Sequence, residues 1–444
     1  MSIEAADRLH TEGVAAGNPA AKQYDVLFSR QPILDRDGML CGFEMCSRMT
    51  DLRHDPEDPD QPGRPGAALA EAFAAPAVRA ALTGHPGSID VTRDILLDDA
   101  LLRLPPSRVM FELPLDIGVD PALVARLVQL HGRRYRFALD HVAQADEAFA
   151  KLLPYAEVVK IDLRRIAPAL LPKFASVLKS AGKILVAMGV ENQADFQLAH
   201  SLGFDRFQGY YFARPHTGEG GRRASASRQA LLNLLQLLAS EPTVSQLEAE
   251  LKLNPVLVMH LMRLANSSSF GIGHKVTTLR EAINAAGTNR IARWTQLLLY
   301  ADGRKVSLED DPLLQLAATR ARFMELAVNE LAVAGFGDQD GAFLAGVFSF
   351  VDAVFGGSLE ATLDMLTLSR PIRAAILRHE GVLGQLLDVA QALERADWAH
   401  IDEACKRLAP LDAGAVAALA LTAAEWAGMA ERNSEATGLE RLED

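Results

Sequence analysis

Between residues 135 and 215 the chain alternates short apolar runs of strand length with stretches whose apolar residues recur every three or four positions. The runs are centred on YRFAL, AEVVKI, KILVA and FDRF. Each is followed at once by polar or charged residues and then by helical periodicity, which is the signature of parallel strands joined by crossover helices. The chemically interesting residues fall where the strands stop. Asp140 and His141 follow FAL, Lys160 and Asp162 interrupt or follow VVKI, Met188 and Glu191 follow ILVA, and Gln208 lies in RFQGYYF. In a barrel of parallel strands these ends open on one face, so the residues are expected to converge.

The pattern starts earlier, at YDVLFSRQPIL, a strand that turns at DRDG (35–38) and returns as MLCGFEMCSR with Glu44 near its end. A polar, proline-rich insert at 51–66 precedes an alanine-rich helix to about Leu82. GSIDV then ends near Asp90 and SRVMFEL at Glu112, with helices predicted over 94–103, 119–131, 143–153, 166–181 and 192–201. The count fits an α/β TIM-like (β/α)8 barrel with an antiparallel entry strand. At HTGEGGRRASAS (216–227) glycine, serine and arginine take over and mark a boundary, and beyond it only helical periodicity survives. The expected organisation is a disordered leader over 1–23, a barrel domain over 24–216, a linker over 217–227, an all-α domain over 228–430 and a tail over 431–444.

Length and charge narrow the function classes. At 444 residues the chain exceeds one ordinary core. A net charge of -12 argues against a general nucleic-acid or anionic-membrane surface. The N-terminus has no apolar segment of signal-peptide type, and no apolar run approaches the ~18 residues that span a bilayer. Three cysteines (Cys41, Cys46 and Cys405) are too few for a disulfide framework or a structural zinc site, so a reducing cytoplasm is the expected compartment.

Glu44, Asp90, Glu112, Asp140, His141 and Glu191 all fall at or just past strand ends, with Lys160 and Gln208 beside them. Oxygen ligands of this kind suit Mg²⁺ or Mn²⁺, and a pair of such ions can clamp the attacking and leaving oxygens of a phosphodiester. The competing explanation for each acid singly is that it caps the helix that follows.

These residues carry a resemblance. FSRQPILDRDGMLCGFEMCSR, VVKID, GVEN and FQGYYFARP make residues 25–216 similar to the EAL family of cyclic di-GMP phosphodiesterases. The resemblance implies that Glu44, Glu112 and Asp140 are metal ligands, that Lys160 and Glu191 assist catalysis, and that Gln31, Arg48 and Gln208 hold the dinucleotide. It also implies a homodimer through the barrel. This chain departs from the family pattern at four places. Asp90 replaces a metal-binding asparagine, His141 the second aspartate of a pair, Leu115 a loop glutamate, and Met188 the glutamate that activates water. A thioether cannot accept a proton near neutral pH, and a general base is worth ~10²–10⁴ in rate. The barrel therefore reads as a catalytically degenerate member whose Mg²⁺ or Mn²⁺ binding is weak.

Residues 230–428, through LNPVLVMHLMRLANSSSFGIGHKVTTLREAINAAGTNRIARW and FLAGVFSFVDAVFG, resemble the HDOD domain. HD-type hydrolases need adjacent His and Asp on a helix, and here the one such dipeptide, His54-Asp55, lies in the insert instead. Asn266, Ser267, Ser268 and Gly271 read as cap and turn residues, and Trp294, Trp398 and Trp426 as core. Three functions follow: a non-catalytic signalling protein that binds cyclic di-GMP or a partner and uses its helical half for protein contact; an active phosphodiesterase releasing the linear dinucleotide; and a scaffold without nucleotide binding.

Overall fold

The computed structural model describes residues 24–51, 65–214, 228–266, 275–292, 295, 311–331, 338–355, 357–364 and 368–439. The expected leader (1–23) and linker (217–227), nearly all of the insert, Trp294, His54-Asp55, Ser267, Ser268 and Gly271 lie outside them.

Eight strands close into a barrel in chain order: β1 (Tyr24–Leu34), β2 (Leu40–Asp51), β3 (Gly87–Asp90), β4 (Val109–Pro114), β5 (Arg136–Val142), β6 (Val158–Asp162), β7 (Ile184–Met188) and β8 (Arg206–Gln208). β1 runs antiparallel to both neighbours and all other pairs are parallel. The antiparallel entry strand expected from the DRDG turn is therefore present. Asp35 closes that turn, its carboxylate accepting from the backbone N–H of Asp37 and Met39.

The two-residue period of a strand divides these segments into two cores. Odd-numbered residues such as Phe43, Ile89, Phe111, Phe137, Leu139, Val159, Ile161, Leu185 and Phe207 are buried in the main apolar cluster with the surrounding helices. Met110, Ala138, Val158 and Val186 form a separate small cluster inside the barrel. The same even register, one step nearer the strand ends, delivers Glu44, Glu112, Asp140, Lys160 and Gln208, all buried. An apolar plug thus floors a polar layer.

Two expected helices differ in detail. The alanine-rich helix is broken into Pro65–Ala74 and Pro76–Ala81, because Pro76 cannot continue the first one and holds Ala75 extended at ψ 141°. The helix over 94–103 is a short α-helix, Arg93–Leu97, followed by a 3₁₀ turn, Asp99–Arg103. Asp98 between them is extended, and its carboxylate accepts from the Ala100 N–H.

Among the described residues, every regular element from Arg228 onward is a helix. The long helix Ala413–Leu439 packs on β1 and on Pro76–Ala81, and the helix Gly381–Glu394 packs on β1. No described helix is long and apolar enough to cross a membrane.

Gly209, just after β8, fixes the loop that follows β7. Its φ is +148°, and a Cβ there would lie 2.1 Å from the Val190 carbonyl oxygen and 2.6 Å from its carbon. That close approach permits Val190 N–H to donate to the Gln208 carbonyl at 3.1 Å, and Tyr211 N–H to the Val190 carbonyl at 3.1 Å. Gly209→Ala is expected to destabilise the fold by about 2–4 kcal/mol, since backbone rather than a flexible side chain must yield. Urea denaturation of the purified variant measures it.

Candidate functional site

At the centre of the polar layer the Lys160 ammonium donates to Glu44 Oε2 and Glu112 Oε2 and lies 3.4 Å from Asp140 Oδ1. Lys160 is 1% exposed and Glu112 fully buried, so neither charge is solvated by water and each depends on the other. Burial alone would depress the lysine pKa, but Glu112, Glu44 and Asp140 outweigh it and hold it well above the usual range. Burial, then repulsion from Glu44, pushes the Glu112 carboxyl well up despite Lys160. Burial would also raise Asp140, but the Lys160 charge and the His141 bond hold it down at about 2.

Gln208 closes the layer, its Nε2 donating to Glu44 Oε2 at 2.6 Å and to Gln31 Oε1 at 2.9 Å. Cys46 Sγ donates to Glu44 Oε1 at 3.4 Å, and burial pushes that thiol well up. His141 lies at the exposed rim with φ +49°, where the β5–β6 register shifts between Leu139 and Val142. Its Nδ1 bonds Asp140 Oδ2 at 2.5 Å, a contact that raises the imidazole pKa. Asp90, also at the rim, is pushed up to about 6 by desolvation and then by the Glu44 and Asp140 charges.

Glu44, Asp90 and Glu112 each present a carboxylate oxygen within 4.8 Å of the others. Glu112 Oε1 is buried with no hydrogen-bond partner, and the only cation near Asp140 Oδ1 among the described residues is the ammonium at 3.4 Å. Four carboxyl groups around one lysine leave spare hard oxygen donors, which fit a divalent cation of the Mg²⁺ or Mn²⁺ class. Asp140 and His141 stand apart from that trio and hold each other.

The helix caps are supplied by other residues: Thr92, Asp98, Asp120, Asp146 and Asn192. Capping therefore does not account for Asp90, Glu112, Asp140 or Glu191. Asn266 does act structurally, bonding Met262 and both backbone groups of Val276. Trp398 and Trp426 are partly buried against the apolar cluster.

Three expected residues do not join the lysine layer. Glu191 sits 3.6 Å from both Arg164 and Arg214. Arg48 pairs with Asp402 of the helical half at 2.9 Å. Met188, 8% exposed, ends β7 in register with Gln208 and puts a thioether on the wall of a cleft of about 580 Å³. Gln31, His141, Glu191 and Gln208 also line this cleft, and so do Arg164, Tyr210, Arg214, Glu394 and Arg395, which sequence reasoning missed. Tyr210 was visible in the FQGYYF run. Glu394 and Arg395 end a helix more than 180 residues downstream and carry no local signal.

Residues 78–215 match the family model described as EAL domain, and residues 227–350 the one described as HDOD domain. The chain carries an EAL domain followed by an HDOD domain. It is 25% identical over 391 residues to "Cyclic di-GMP phosphodiesterase CdgJ" of Vibrio cholerae, covering 87% of this chain and 88% of that protein. It is also 24% identical to the uncharacterised YuxH of Bacillus subtilis, over 90% of this chain and 98% of that one. Among solved structures, a manganese/cy-diGMP complex of BlrP1 from Klebsiella pneumoniae aligns at 22% identity over 42% of this chain and 54% of that one, with a TM-score of 0.30. The EAL domain of Mycobacterium smegmatis DcpA aligns at 21% identity over 41% and 88%, with a TM-score of 0.33.

Removing the ammonium from the EAL layer would leave buried carboxylates uncompensated. Lys160→Met is expected to cost about 3–5 kcal/mol. Millimolar Mn²⁺ should then raise the melting temperature of the variant more than that of the unmodified protein, because it supplies the missing positive charge. Thermal denaturation with and without the ion compares the two.

Proposed function

We propose that the EAL domain binds cyclic di-GMP without hydrolysing it and that the HDOD domain conveys the bound or free state to a partner protein. The observation that carries this reading is Met188, an aprotic side chain on the cleft wall where the family's water-activating glutamate is expected. The other titratable groups there are engaged: Glu191 by two arginines, His141 by Asp140, and Asp162 by the Arg164 backbone N–H. Gln31 and Gln208 remain at the cleft in polar contact with the lysine layer and are the residues this reading assigns to the dinucleotide, together with Arg48.

Glu44, Asp90 and Glu112 would hold a divalent cation, which when bound would offset the charge between the carboxylate layer and a ligand phosphate. At a second metal position, where the His141 imidazole stands in place of an aspartate, Mn²⁺ or Zn²⁺ should bind more tightly than Mg²⁺. Calorimetric titration of the three ions reads this order, and two fully occupied Mg²⁺ sites at physiological concentration would contradict it.

Calorimetry with cyclic di-GMP, followed by analysis of the recovered nucleotide, should show binding with the ligand intact. Gln31→Ala or Gln208→Ala should weaken binding by about tenfold, the worth of a hydrogen bond to a charged group. Met188→Glu alone should give little hydrolysis. Joined with His141→Asp, Asp90→Asn and Leu115→Glu, it should exceed the sum of the single changes, since parts of one catalytic unit are non-additive. One observation favours hydrolysis instead: a relative spanning 87% of the chain is named a phosphodiesterase. Robust turnover by the unmodified protein, abolished by Glu44→Ala, would establish that second reading and sink the first.

A further inference from the structure

The cleft at the barrel mouth has a wall that the barrel does not supply. Glu394 and Arg395, at the end of the helix Gly381–Glu394, face it alongside Tyr210, Phe212 and Arg214. This wall is held in place. Arg320 grips Glu394 through Nε to Oε1 at 2.7 Å and Nη2 to Oε2 at 2.5 Å, and the Tyr210 hydroxyl donates to Glu394 Oε2 at 2.8 Å. Arg395 lies over the Tyr210 ring at 5.9 Å from its centroid, and no described carboxylate forms an ion pair with it.

The charges facing the cleft leave a cationic rim once internal pairs are subtracted. Arg320 neutralises Glu394, Arg165 lies 3.8 Å from Asp162, and Arg164 and Arg214 share the single charge of Glu191. Arg214 also faces the Asp352 carboxylate, so Arg395, with no described carboxylate in an ion pair, is the cation left over at the rim. The anionic layer of Glu44, Glu112 and Asp140 lies beyond, inside the barrel. A ligand carrying two phosphodiesters is thus attracted at the rim, on the side where the helical half stands.

We infer that Arg395 of the helical half is a ligand-binding residue of this cleft, contacting a phosphate of the cyclic dinucleotide so that one site spans both halves of the chain. This rests on the binding function proposed above and adds the route by which the two halves sense each other. A ligand held by both strengthens their contact, and by reciprocity anything that shifts the helical half changes affinity for the ligand.

The test titrates the full chain with cyclic di-GMP by calorimetry. Arg395→Ala should weaken binding by about tenfold or more, Arg395→Lys by less, and neither should move the melting temperature, because the side chain is exposed. Arg133→Ala, which removes the same charge from the opposite end of the barrel, should leave affinity unchanged. Amide exchange over residues 391–397 should slow on adding ligand. Binding by the unmodified protein that Arg395→Ala leaves within twofold, or exchange at 391–397 that ligand does not alter, would overturn the site spanning both halves while leaving the binding function standing. Absence of binding by the unmodified protein would sink both.

Discussion

A single buried ammonium organises the barrel mouth. Lys160 is buried away from solvent, so it must be surrounded by acceptors, and β2, β4 and β5 each deliver a carboxylate to it. The dependence runs both ways, because Glu112 is fully buried and the lysine is the charge that opposes the upward push on its carboxyl. Such a layer is costly to bury and gains little net stability against an apolar equivalent. Its presence above a plug of Met110, Ala138, Val158 and Val186 therefore marks a place kept polar for chemistry rather than for folding.

Around that layer the two domains are tied by polar links of unequal weight. The Arg320–Glu394–Tyr210 set is largely shielded, with side-chain exposures of 4% for Arg320 and 12% for Glu394, so its geometry is firmly specified. Arg48–Asp402 is about one-third to one-half exposed and is correspondingly weak. Arg30 is a different case. It donates to Thr319 and to the Ala81 carbonyl and lies 4.6 Å from the Phe43 ring centroid, and burial lowers its pKa to about 9. The strong links lie where the helical half meets the cleft, and the weak one holds an arginine that the family resemblance assigns to ligand. Interdomain position and cleft chemistry therefore share residues.

Much of this was legible in the chain because it is local. The period of two and the abrupt polar residues after FAL, VVKI and ILVA placed the strands, and strand direction placed their ends on one face. Within each strand the two-residue period then sets the facing, and Glu112, Asp140 and Lys160 lie two positions beyond Met110, Ala138 and Val158 of the plug. The two helix breaks were not read from the sequence, although each has a local signal, Pro76 for one and the capping carboxylate of Asp98 for the other.

What the sequence by itself determined is the strand and helix order and the residue types at the mouth, the Met188 thioether among them. Only the tertiary structure decided how they divide: Glu44, Asp90 and Glu112 as a cation-sized group, Asp140 with His141, Glu191 between two arginines, and Arg48 drawn to Asp402. It alone put Glu394 and Arg395 on the same cleft as Gln31. The physical reason is that periodicity and capping act over a few residues, whereas ion pairs and cleft walls join groups hundreds of positions apart and exist only once the helical half has packed on β1.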